Sequence, residues 1–137
     1  MLVEHARTVL GIADATHAEY GHRGTPVVTL LACSLADTSI EIELTPGSRL
    51  AAVYGAVGAR ERTTCNYGLE PTMAHVAGAG GMVVAARDGT GEVRAVERPD
   101  HPFFVATLFQ PQLSSWPHRP HPIWSGFVRA VLAGSGG

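Results

Sequence analysis

The sequence predicts an α/β domain, and three observations lead there. Apolar residues fall at helical spacing at the start (Leu2, Val3, Ala6, Val9, Leu10) and again from Ile123 to Ala133. Between these ends lie apolar or alternating runs of strand length, Val27 to Cys33, Ser39 to Leu44 and Phe103 to Phe109. Turn signals rich in Gly, Pro, Asp and Ser, such as Thr45-Pro46-Gly47-Ser48 and Asp88-Gly89-Thr90-Gly91, separate the runs.

Taken in order, the first helix is stopped by Gly11, and Ala13 to Pro26 reads as a connection because Gly21, Gly24 and Pro26 break any period. Val27 to Cys33 is a strand, with Cys33 as a buried thiol. Ser39-Ile-Glu-Ile-Glu-Leu44 alternates strictly, the mark of a half-exposed strand. Arg49 to Tyr54 is a short helix, Gly55 to Arg60 a turn, and Arg62 to Leu69 extended. Pro71 suits a first helical position, so a short helix runs to about Ala77 and ends at Gly78. Met82 to Arg87 and Glu92 to Glu97 form a hairpin. Phe103 to Phe109 is a buried strand, expected to share one central sheet with Val27 to Cys33 beneath packed helices. Residues 1–133 read as one domain and 134–137 as a flexible tail.

Composition narrows the function. The chain has 137 residues, 45% of them hydrophobic, and a net charge of -2. Its ten arginines are scattered and form no basic stripe, so nucleic acid is not an expected partner. There is no lysine, which excludes a P-loop lysine and Schiff-base chemistry. No apolar run reaches the roughly 18 residues of a membrane span and no signal peptide opens the chain, so a cytoplasmic location is expected. Two cysteines, Cys33 and Cys65, are too few for a disulfide framework and read as free thiols.

The segment from Asp100 to Pro122 contains Leu108-Phe-Gln-Pro-Gln112 and then Ser114-Ser-Trp-Pro-His-Arg-Pro-His-Pro122. It resembles the closing motif of the class I glutamine amidotransferase domain of CTP synthases, where a strand running into Phe-His-Pro-Glu delivers a histidine base and the carboxylate that orients it. Gln110 and Gln112 stand at those two positions. An amide can hold a hydrogen bond but cannot accept and return a proton near neutral pH. Glu61-Arg-Thr-Thr-Cys-Asn-Tyr67 resembles the run in which the family places an arginine on the carboxylate of bound glutamine, and Asn66 replaces that arginine. The nucleophile elbow of the family lies upstream of the residues that resemble this chain, whose Leu2 to Leu10 helix is similar to the one that follows the elbow. The Ala-Cys-Ser-Leu, Cys-Asn-Tyr-Gly-Leu and Leu-Phe-Gln-Pro-Gln-Leu-Ser-Ser segments resemble most a bacterial group related to the C-terminal region of CTP synthase, some of whose members contain selenocysteine. The resemblance implies the later part of a flavodoxin-like sheet with a hairpin insertion.

Cys65 is the one residue in these segments that could serve as a new nucleophile, with Arg62 the nearest cation in sequence; the plainer reading is an ordinary strand thiol beside Tyr67. His17 and Glu19 lie in a polar stretch that could contribute to a cleft, and with Asn66, Tyr67 and Gln110 they make the candidate ligand set. His118 and His121 would share one side of an extended proline-rich segment, yet a metal site needs a further ligand such as His101 or His75, so no metal is expected. Gly80-Gly81 and Gly89-Thr-Gly91 read as turns rather than phosphate loops.

The expected function is a degenerate glutamine-amidotransferase-like domain without glutaminase or CTP synthase activity of its own, requiring no cofactor. Two alternatives stand beside it: a thiol enzyme acting on something other than glutamine if an upstream half carries a nucleophile, and a non-catalytic module for a small amide, an amino acid or a protein. An incomplete sheet leaves an apolar edge, so a homo-oligomer, or a partner supplying the missing half-domain, is expected, joined along the sheet edge or the face of the Leu2 to Leu10 helix.

Overall fold

A computed structural model describes residues 1–21, 23–31 and 35–134. Cys33, expected as a buried strand thiol, and residues 135–137 of the expected tail lie outside the described residues. The chain runs α1 (Leu2–Thr8), β1 (Ala15–His17), β2 (Thr25–Leu30), β3 (Thr38–Leu44), α2 (Arg49–Tyr54), β4 (Gly58–Thr63), β5 (Tyr67–Leu69), β6 (Val83–Asp88), β7 (Val93–Glu97), β8 (Val105–Thr107) and α3 (Pro122–Gly134). Three 3-10 turns at Ala18–Tyr20, Pro71–Gly78 and Pro111–Ser114 complete it.

The single central sheet does not form. β1, β2 and β5 make a three-stranded sheet, β1 parallel and β5 antiparallel to β2. β4, β3, β6, β7 and β8 make a five-stranded sheet in that order, antiparallel at every pairing. The two apolar runs expected to share one central sheet therefore sit in different sheets. The second of them is strand only over Val105–Thr107, at an edge. Apolar run length reports burial and not pairing: β2 is central in its sheet with Val27 and Val28 buried, whereas the half-buried β8 lies at an edge.

Local signals translate where they are strong. In β3, Ile40, Ile42 and Leu44 are buried while Glu41 and Glu43 face water, as the alternation requires. The hairpin closes because Asp88 Oδ1 accepts bonds from the Thr90 amide, the Thr90 hydroxyl and the Glu92 amide. The run 62–69 is not continuous; it divides into β4 and β5, and the turn before it ends early enough for β4 to begin at Gly58. The connection 13–26 hides β1, whose three residues are too few to show a period. Gly24, at φ +96°, follows it where a Cβ would strike the Asp14 carbonyl oxygen.

The five-stranded sheet is covered on both faces. On one, Leu2, Ala6, Val27, Val28 and Val76 pack with Val93 and Val96, bringing α1 and the three-stranded sheet onto β7. On the other, Leu50 of α2 and Ile123 of α3 pack with Ile42, Ala85, Ala95 and Phe109. The α1 face expected to join copies is thus occupied, with Leu2, His5 and Ala6 buried and the His5 ring bonded to the Ala79 carbonyl at 2.9 Å. Among the described residues no helix is long and apolar enough to cross a membrane.

Candidate functional site

β4 ends at Thr63, and the link to β5 carries the residues singled out in the sequence. Its shape is set by a chain of bonds to neighbouring segments. The Cys65 amide donates to Thr63 Oγ1 at 3.1 Å, and the Thr63 hydroxyl donates to the Leu108 carbonyl at 3.4 Å. The Thr64 amide donates to Gln110 Oε1 at 2.8 Å, and the Gln110 amide to the Arg62 carbonyl at 3.1 Å. Gln110 is therefore a clamp between the exit of β8 and the 64–66 link. Gln112, two residues on, is exposed in the 3-10 turn.

Cys65 is half-buried. Its thiol donates to the Tyr67 carbonyl at 3.5 Å and its sulfur accepts from the Tyr67 amide at 3.4 Å. These bonds fold the link into the start of β5 and describe a thiol held by its own backbone. Arg62, the cation suggested for it, is instead paired with Asp37 at 3.0 Å on the exposed side of β4. The Asn66 carbonyl accepts from the Leu31 amide at 2.8 Å, which extends the β2–β5 pairing by one residue.

The Tyr67 ring lies 4.8 Å and the Tyr20 ring 5.6 Å from the His17 ring, centroid to centroid. His17 Nδ1 accepts from the Glu19 amide at 3.1 Å, so the ring is fixed as the tautomer with its proton on Nε2. Glu19 is exposed beside it. His17, Glu19, Cys65, Tyr67 and Gln110 thus fall in one neighbourhood, formed where β1 ends, β5 begins and β8 exits. An apolar cavity of about 210 Å³ adjoins it, lined by His17, Val28 and Leu108 and by α1 at Leu2 and Val3.

The proline-rich loop does not present two histidines on one side. His118 is exposed, whereas His121 is buried against Glu61. His101 is exposed and accepts from the Phe103 amide at 3.1 Å, and His75 is exposed on the Pro71–Gly78 turn. Among the described residues no three His, Cys, Asp or Glu side chains gather where they could hold a metal ion.

What the sequence reading missed is the polar core behind the site. His121 Nε2 lies 3.0 Å from Glu61 Oε1, and the Tyr54 hydroxyl donates to the same oxygen at 2.6 Å. His121 Nδ1 accepts the Ile123 amide at 3.2 Å, so its proton sits on Nε2 and points to Glu61. Burial, joined by the bond and charge of Glu61, pushes the Tyr54 phenol far above its ordinary range. The second oxygen of Glu61 is buried without a partner among the described residues. Glu61 sits at a buried position of β4, which the sequence did not signal because the turn was expected to run to Arg60.

No protein-family model matches the chain. Its sequence is 32% identical to CTP synthase of Sphingopyxis alaskensis, aligned over 95% of this chain and 27% of that protein. It is 35% identical to CTP synthase of Archaeoglobus fulgidus, over 96% and 27%. Its fold is similar to the glutaminase domain of Trypanosoma brucei CTPS with bound acivicin, at a TM-score of 0.87 and 25% identity, covering 96% of this chain and 56% of that one. A GMP-synthase-type protein of Thermoplasma acidophilum shares the fold alone, at a TM-score of 0.57 and 13% identity over 77% of this chain and 48% of that one. Fold and sequence together relate this mixed α/β domain to the glutaminase domain of CTP synthases, and the chain spans about a quarter of the length of the CTP synthases it matches.

Proposed function

We propose that this chain is a degenerate CTP-synthase-related glutamine amidotransferase-like domain that neither hydrolyses glutamine nor forms CTP by itself, and that it keeps the cleft at His17, Glu19, Asn66, Tyr67 and Gln110 for binding a small amide or amino acid. The observation carrying this reading is the Gln110 clamp. At the position where the resembling motif has its base, the side-chain oxygen accepts the Thr64 amide at 2.8 Å, a bond that orders the chain and moves no proton. The exposure of Gln112 and the replacement of a carboxylate-gripping arginine by Asn66 support it. The finer placement is a member of the CTP synthase C-terminal-region-related group that includes selenoproteins, built as the later part of a flavodoxin-like sheet and working in the cytoplasm alongside pyrimidine nucleotide synthesis.

The test is ammonia release from glutamine by the purified chain. Losing members of a catalytic unit that act together costs on the order of a millionfold in turnover, so no release above buffer is expected. Release proportional to protein and abolished by Cys65→Ala would overturn the reading and make Cys65 a nucleophile.

A further inference from the structure

The short turn after β1 holds an aromatic ring out in water. His17 caps the turn, its Nδ1 accepting the Glu19 amide at 3.1 Å, and Gly21 closes it with its amide on the Ala18 carbonyl at 3.3 Å. Three residues on from the cap, Tyr20 comes back against the imidazole, 5.6 Å away and tilted by 53°, while staying 84% exposed. A tyrosine this exposed contributes little to the core, and its contact with His17 leaves most of the phenol ring open. Tyr67 approaches the same imidazole from β5 at 4.8 Å, tilted by 50°. Tilted pairs leave wedges between the rings that flat stacks would close.

The charge around these rings is negative. With Nδ1 occupied by an amide donor, His17 is the neutral tautomer, so its face is a π surface and not a cation. Glu19 is an exposed carboxylate on the same turn. The chain has no lysine, and arginines on the bordering elements are engaged with other acids: Arg7 of α1 with Glu4, Arg62 of β4 with Asp37, and Arg94 of β7 with Asp88 and Glu92. Arg23 lies at the far end of β1, where Gly24 sits against the Asp14 carbonyl and Thr25 pairs with Ala15. A carboxylate brought to the rings would meet Glu19 and aromatic faces, which are themselves negative.

We propose that Tyr20, His17 and Tyr67 form an aromatic site for a small organic cation, an amine or quaternary ammonium that carries no carboxylate, with Glu19 supplying the countercharge. The inference rests on the reading of this cleft as a ligand site, and it narrows the ligand from amides and amino acids in general to amines, amino-acid amides among them, without an acid group. A cation within about 6 Å of a ring centroid is attracted by the ring quadrupole. The spacings of 4.8 and 5.6 Å bring more than one ring within that reach of a single head group. An uncharged ligand of the same shape gains contact with the rings but nothing from their quadrupole or from Glu19.

The experiment follows the backbone and ring signals of the full protein by NMR during titration with choline, with choline's uncharged isostere in which carbon replaces nitrogen, and with glutamine. Choline should shift the His17, Tyr20 and Tyr67 signals saturably, and the isostere should bind about fivefold more weakly. Tyr20→Leu, at an exposed position that folding does not need, should weaken choline about fivefold, whereas Tyr20→Phe keeps the π face and should retain it. Glu19→Gln should weaken choline and flatten its dependence on salt. Equal binding of the isostere, undiminished binding to Tyr20→Leu, or no saturable shift would each overturn the cation site. Glutamine separates this inference from the reading beneath it. Glutamine shifting the same signals at lower concentration than choline overturns the cation preference and keeps the cleft as an amino-acid site; ammonia release alongside the choline shifts defeats the proposed function and leaves the cation site standing.

Discussion

Glu61 and His121, sixty residues apart in sequence, meet at 3.0 Å in the buried layer between β4 and α3. His121 works in two directions: it accepts the Ile123 amide at the start of α3 through one nitrogen and donates to the Glu61 carboxylate through the other. Tyr54 adds a second donor to the same carboxylate oxygen. One residue thus fixes where α3 begins and ties it to the sheet and α2.

Removing His121 breaks both links and leaves a buried carboxylate short of a donor. His121→Ala should cost roughly 3 to 5 kcal/mol of stability in urea unfolding, and Tyr54→Phe about 1 to 2 kcal/mol because one donor survives. Equal losses in the two variants would show that the imidazole is not the central member.

Glu97 on β7 caps α2. Its two carboxylate oxygens accept the Arg49 and Leu50 amides at 2.8 and 3.0 Å, while Ser48 Oγ accepts the Ala51 amide at 3.0 Å. The first three helical amides are therefore satisfied by side chains, two of them by a carboxylate at the positive helix end. Glu97→Gln should cost about 1 to 2 kcal/mol, since the amide group turns a donor toward one of those amides. An unchanged denaturation midpoint would contradict this.

Acid should loosen the β6–β7 hairpin. Burial raises the Asp88 pKa, but bonds from Thr90 and the Arg94 guanidinium outweigh it and hold the carboxyl below its ordinary value. A depressed folded-state pKa means the stabilisation is complete above the unfolded value near ~3.9 and is lost as pH falls through the lower folded one. The stability gap between the parent chain and Asp88→Asn should be constant above about pH 5 and shrink below ~4. A gap that widens in acid would reverse the sign argued here.

Gly126 lets α3 approach α2. A Cβ there would sit 2.7 Å from Val53 Cγ2 and 3.0 Å from Phe103 Cε2. Gly126→Ala should therefore destabilise by about 1 to 3 kcal/mol through overpacking, although alanine favours a helix by about 1 kcal/mol. The loss should be smaller in a Val53→Ala background, which a double-mutant cycle reads directly.

The Gln110 clamp predicts a local effect. Gln110→Ala should speed hydrogen exchange at the Thr64 and Cys65 amides while leaving the hairpin amides protected. Restoring Gln110→His with Gln112→Glu should yield no glutaminase, because the clamp is lost and Gln112 is exposed. Activity in that double variant would reveal a nucleophile facing the pair.

Local order was legible in the sequence because it is carried by neighbours. The bounds of α2, the alternation of β3 and the Asp88–Glu92 turn each follow from residues within a few positions of one another. The proximity of Tyr67 to Cys65 was legible too. Partners distant in sequence were not. That Glu61 waits for His121 and that Gln110 closes on Thr64 depend on contacts between residues 60 and 46 apart, and that the 27–30 and 105–107 strands enter different sheets depends on which neighbours each strand pairs with. Periodicity tells each residue whether it is buried, and only the packed layers decide against what.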